Sequence, residues 1–210
     1  MGRPREHGER TAAALLDAAE RLIQIGGIEA VSVRRLADAT GTTTRAVYAL
    51  FGSKDGLLAA LGTRAFELLG AAVRALPATD DPADDLVTAG ADVFRRFVVE
   101  HPILFRIGFQ RTLVTTELAG HFDAARVGAL AALTARLERL GQAGLLRRHS
   151  VNDARAHFHA LCQGLADCEL QGILAPKQAA RVWRDALDTL IAGFAIPEGA
   201  ISAAASRTAR

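Results

Sequence analysis

The sequence predicts an all-α chain in two parts, a small three-helix unit at the N-terminus and a larger helical domain behind it. Half of the 210 residues are hydrophobic but only 5% are aromatic, so the core must be built mainly from Ala, Leu and Val, which favours helices. No run of alternating β-branched residues suggests a sheet. Apolar residues recur instead at steps of three and four between short breaks rich in Gly, Pro and Asp.

The first helix is ERTAAALLDAAERLIQIGG, closed by two glycines. Met1-Gly2-Arg3-Pro4-Arg5 precedes it as a basic arm, of a kind that can enter a minor groove. Ser32 can cap a second helix, SVRRLADAT, because its hydroxyl accepts from a free first-turn N–H. Val33, Leu36, Ala37 and Thr40 line its packing face, with Arg34, Arg35 and Asp38 turned away. Gly41 suits the left-handed position just past a helix end. Thr42 is then placed to cap a third helix that packs through Ala46, Val47, Leu50 and Phe51. Thr43, Thr44, Arg45, Tyr48 and Ala49 remain for its other side. Gly52 and Ser53 end this helix and start a long fourth one, with Lys54 and Asp55 in its first turn.

Two short helices joined at Gly41 form a helix-turn-helix, whose second helix enters the DNA major groove. Hydroxyls and a tyrosine bond phosphate oxygens, and Arg reads guanine edges with two parallel bonds. The net charge is only +2, so bulk charge does not drive nucleic-acid binding. Residues 1 to 76 hold the excess, with ten Arg/Lys against eight Asp/Glu.

Residues 9 to 58 resemble the DNA-binding domain of the tetracycline-repressor (TetR) family of bacterial regulators. The likeness rests on Gly41, Thr43, Val47, Tyr48, Phe51, Ser53, Lys54 and Asp55 in their relative spacing. The chain departs from the pattern at Leu50, where a polar His is common, so Leu50 is expected to pack. The resemblance implies a DNA-binding domain over residues 1–56 and a helical effector-binding and dimerisation domain over 57–210. It implies DNA contacts from Ser32, Arg34, Thr43, Tyr48 and Lys54, with Thr44 and Arg45 facing base edges. Its partners would be a palindromic double-stranded operator, a small-molecule effector and a second copy of the chain. Repression relieved by that effector is an implication of the family, and neither a cofactor nor a metal is expected.

Beyond the fourth helix (54–76) and the break PATDDP, helices are expected near 83–100, 103–110, 116–140, 152–174 and 177–195, with a small polar, mobile tail from Pro197. Ala160, Gly164, Cys168 and Gly172 recur every four residues, a stripe that lets another helix approach closely. Trp183, Leu187, Leu190 and Phe194 follow a 4-3-4 spacing. Both stripes are expected at a dimer interface, where two recognition helices would stand about 34–36 Å apart or further. Phe94, Phe97, His101, Phe105, Phe109 and Phe122 gather five of the nine phenylalanines and suggest an apolar pocket, with Arg126 and His159 among the groups that can orient a ligand.

Other function classes find little support. There is no glycine-rich phosphate loop, no G-x-S-x-G and no H-E-x-x-H, and catalysis is not expected. His159 and Cys162 share a helical face, but two ligands do not make a tetrahedral metal site. A helical module that binds only protein or ligand is the alternative, and the hydroxyl-rich third helix argues against it. The charged first ten residues and the lack of an apolar run of ~20 residues predict neither signal peptide nor membrane span. Two cysteines are too few for a disulfide framework, and a cytoplasmic setting follows.

Overall fold

The computed structural model describes residues 3–110 and 120–196, with side chains from residue 8 onward. Every regular element among the described residues is helical. α1 is Arg3–Gly26, followed by the 3-10 turn Ile28–Ala30. α2 is Val33–Thr40, α3 is Thr44–Phe51 and α4 is Lys54–Ala75. α5, Pro82–Thr88, passes through a wider π-wound stretch, Ala89–Phe94, into α6, Arg95–Glu100. α7, Pro102–Phe105, runs into a second π-wound stretch, Arg106–Gln110. α8 is Asp123–Gln142, α9 is Val151–Leu170 and α10 is Pro176–Phe194.

The order of elements agrees with the sequence expectation, with two adjustments. α1 starts at Arg3, so Arg3 and Arg5 belong to its first turns and not to an extended arm. Met1, Gly2, the start of the helix expected at 116 and the tail from Pro197 lie outside the described residues. α9 ends at Leu170, because Gly172 takes a positive φ of 74° that closes the helix with a turn.

The chain divides into two compact units. The first comprises residues 1–67 and 101–126, so the helix-turn-helix shares its unit with α7 and the segment after it. Its core joins Leu15, Ala18, Ala19 and Ile23 of α1 to Leu36 and Ala37 of α2, Val47 of α3, and Leu57, Leu58 and Leu61 of α4. Phe66, Phe105, Phe109 and Phe122 make an aromatic cluster in the same unit, with Phe66 4.7 Å from Phe109 and 5.9 Å from Phe122. Gly62 is what lets Phe122 lie on α4, since a Cβ there would stand 2.4 Å from the ring. Nδ1 of His101 lies 3.1 Å from the Glu20 carboxylate of α1.

The second unit comprises residues 68–100 and 127–210. Here α5, α6, α9 and α10 bury Leu86, Phe94, Phe97, Phe158, Leu165, Leu187 and Ile191. Trp183 is fully buried and donates its indole N–H to Glu169 at 2.8 Å, and Arg95 binds the same carboxylate at 2.7 Å. This placement corrects the expected seam between copies. Trp183, Leu187 and Phe194 are 0%, 0% and 1% exposed, buried by their own chain, and a 4-3-4 spacing serves an internal seam equally well.

α4 is long and apolar enough to cross a membrane by length and composition. Its apolar residues Leu57, Leu58, Leu61, Ala65, Phe66, Leu69 and Val73 are nonetheless buried in the chain's own cores.

Candidate nucleic-acid interface

The interface is built from the turn upward. Ser32 Oγ accepts from Arg35 N at 3.2 Å and starts α2. Gly41 ends it in the left-handed region, at φ 64° and ψ 25°, where a side chain would be strained. Thr42 spends its N–H on the Ala37 carbonyl at 3.0 Å and so belongs to the turn. The cap of α3 is therefore Thr43, not Thr42: Thr43 is extended and its Oγ1 accepts from Ala46 N at 3.1 Å. Both capping hydroxyls use an acceptor lone pair, so each keeps its O–H to donate to a phosphate oxygen.

Val47 is buried and holds α3 against α2, with Ala46 and Phe51 half-buried beside it. The opposite side presents Thr43, Thr44, Arg45, Tyr48 and Ala49, all exposed, as the periodicity predicts. Tyr48 is 56% exposed, with its hydroxyl beyond the apolar body of the ring. The side chains of Arg34, Arg45 and Tyr48 make no hydrogen bond or ion pair among the described residues, so their donors are open to an incoming ligand.

Leu50 overturns one expectation. It is 39% exposed, not packed. Lys54 also differs. It opens α4 beside α3, as expected, but its Nζ lies 3.3 Å from Glu29 Oε2. Arg35 donates to the Ala30 carbonyl at 3.2 Å. Reading α2 and α3 alone misses Glu29, whose only local signal is one acid between Gly26-Gly27 and the buried Val31.

The expected pocket residues are divided between the two units. Phe94, Phe97 and His159 belong to the second unit, and His101, Phe105, Phe109, Phe122 and Arg126 to the first. Phe94, Phe97, Phe105 and Phe122 are buried core residues. Arg126 pairs with Asp123 at 2.9 Å, and His159 lies 2.7 Å from the Gln163 side chain. The second unit does hold an open cleft of about 500 Å³, whose lining includes none of these eight residues. Val73, Arg74, Gly128, Ala132, Ala135 and Arg136 are among those that form it. Ala160 and Gly164 are exposed on α9 and Cys168 is half-buried, while Gly172 lies past the helix end. Burial pushes the Cys162 thiol up, away from thiolate and from metal binding.

The comparisons agree with this geometry. Residues 15–61 match the family model described as bacterial regulatory proteins, tetR family. No curated protein matches the chain in sequence. Among solved structures it is similar to the TetR family transcriptional regulator PfmR from Thermus thermophilus, at 26% identity and a TM-score of 0.64, covering 84% of this chain and 96% of that one. It is similar in fold to a regulatory protein in the tetR family from Rhodococcus RHA1, at 19% identity and a TM-score of 0.68, covering 86% and 96%. The transcriptional regulator FadR from Bacillus subtilis, solved in complex with stearoyl-CoA, has the same fold at 16% identity and a TM-score of 0.73, covering 86% and 98%. Residues 15–61 thus carry a DNA-binding domain of the tetR type, and the fold of the chain is similar to that of TetR family regulators over most of its length.

Proposed function

We propose that this protein is a sequence-specific DNA-binding repressor, working as a homodimer in the cytoplasm and released from its operator by a small molecule. The observation that carries the reading is the exposed arc of α3. Thr44, Arg45, Tyr48 and Ala49 stand together on the side away from Val47, with every Arg45 and Tyr48 donor open. In a major groove, Arg45 suits the O6 and N7 acceptors of guanine, and Thr44 suits a neighbouring edge. Ser32, Thr43, Tyr48 and Lys54 suit phosphates and fix the register of α3. Arg34 adds a cation at the start of α2. On this reading the protein acts by occupying DNA, without chemistry of its own.

A second copy would supply the other half-site. The exposed small residues Ala160 and Gly164 on α9 fit that contact, since they admit a close helix neighbour. Trp183, Leu187 and Phe194 would support the contact from beneath.

The cleft beside Arg74, Arg136 and Arg139 is a candidate seat for the effector. α4 gives its first part to one unit and its last part to the other, so it would carry a change at the cleft toward Lys54. The effector can act only through its differential affinity for the DNA-competent and incompetent states.

The test is selection of bound sequences from a pool of random double-stranded DNA at fixed moderate salt. One enriched palindrome is the expected result. A helical, folded protein that enriches nothing would remove the regulator reading.

A further inference from the structure

The turn between α1 and α2 holds two cations, one of which, Lys54, is proposed to meet DNA. Its Glu29 carboxylate takes Lys54 Nζ at 3.3 Å, and its Ala30 carbonyl takes Arg35 Nη1 at 3.2 Å. The turn itself is well placed. Gly27 enters it with φ 71°, Val31 anchors its end in the core, and Val31 N returns to the Ile28 carbonyl at 3.4 Å. Gly26 lets Ala30 come close, because a Cβ at residue 26 would stand 2.8 Å from the Ala30 Cβ. Glu29 points away from this anchored backbone, with its side chain 88% exposed, while the Lys54 side chain is 38% exposed.

The pair is thus an anion presented by a fixed turn to the one lysine at the start of α4. A carboxylate and a phosphodiester offer that ammonium the same thing, a negatively charged oxygen acceptor. They cannot both sit against it without repelling each other. We infer that Glu29 acts as an internal phosphate surrogate: it competes with the DNA backbone for Lys54 and sets the affinity of the interface below what its cations alone would give. The inference rests on the DNA-binding reading above and names a regulator of that same surface. An affinity held down in this way leaves complexes easier to dissolve, which suits a protein that must leave its operator on a signal. The contribution of Arg35 differs in kind, because a backbone carbonyl has no net charge and cannot be removed by a side-chain change.

The experiment is a double-mutant cycle on a mixed-sequence DNA duplex at low salt, where phosphate contacts dominate. The four proteins are the unaltered chain, Glu29→Gln, Lys54→Ala and the double variant, each checked for native helicity. Glu29→Gln is expected to bind about two- to five-fold tighter per half-site, the range of an exposed ion pair. Lys54→Ala is expected to bind more weakly, and Glu29→Gln to add nothing in its background. An equal gain with and without Lys54 would show Glu29 acting by bulk repulsion, and overturns the surrogate. No gain while Lys54→Ala still weakens binding overturns it too and leaves the DNA reading standing. If the unaltered chain binds no duplex, the DNA reading fails and the surrogate falls with it.

Discussion

Arg136 donates from Nη2 to the carbonyl of Leu76 at 2.7 Å, closing the C-terminal end of α4 with a charge from α8. The same nitrogen reaches the Val73 carbonyl at 2.9 Å, and Nη1 reaches Pro77 at 3.4 Å. The last carbonyls of a helix have no partner within it and carry the negative end of its dipole. A guanidinium satisfies several at once. Arg136 is only 8% exposed, and its burial is compensated by these bonds.

Arg136→Leu should therefore destabilise the protein by about 2–4 kcal/mol, since it strands buried carbonyls while keeping apolar volume. Urea unfolding followed by helicity measures the loss. A change below about 0.5 kcal/mol would mean that water replaces the guanidinium at little cost.

Stability should also fall in acid through Asp85. Burial on its own raises the pKa of this carboxyl, but hydrogen bonds from Arg139 and from the Thr79 hydroxyl and N–H outweigh it, and the net shift is downward. A carboxyl with a depressed folded pKa contributes stability above its unfolded value, near 3.8, and that contribution is lost as pH falls through the folded value. Asp85→Asn should accordingly be destabilising at pH 7 and progressively less so as pH falls below 3.8, measured as the difference in unfolding free energy at pH 7 and in acid. Equal destabilisation at both would show that shape and not charge holds the 77–81 loop.

Tyr48→Phe removes one exposed hydroxyl without disturbing the buried face of α3. It should weaken binding to every duplex by about 0.5–1.5 kcal/mol per half-site, with the order of sequence preference unchanged. Titration of several duplexes at one salt concentration checks this. A loss confined to one sequence would make Tyr48 a base reader.

The parts of this structure that were legible in the sequence are those specified within a few residues. Ser32, Gly41, Ser53 and the Val47–Tyr48 alternation each carry their own conformational reason, and they sit as expected. Where the deciding partner lies elsewhere, the reading fell short. Thr42 and Thr43 are equal as caps by residue type, and it is Thr43 whose extended backbone lets its hydroxyl accept from Ala46 N. Leu50 is apolar, yet it stands 39% exposed, and its residue type alone does not decide that. Trp183, Leu187 and Phe194 mark a seam, and spacing does not say whether the other side belongs to the same chain. Lys54 and Glu29 are 25 residues apart, and Arg136 and Leu76 are 60 apart. No local pattern announces either pair.

On the proposed function, α3 reads bases through Arg45. The most direct test repeats the selection from random DNA with the Arg45→Ala protein. The expected result is a sequence profile like that of the unaltered protein, with preference relaxed at one position in each half-site and a cost of about 1–3 kcal/mol there. An unchanged profile, with affinity lowered equally on all sequences, would contradict it and make Arg45 another phosphate contact.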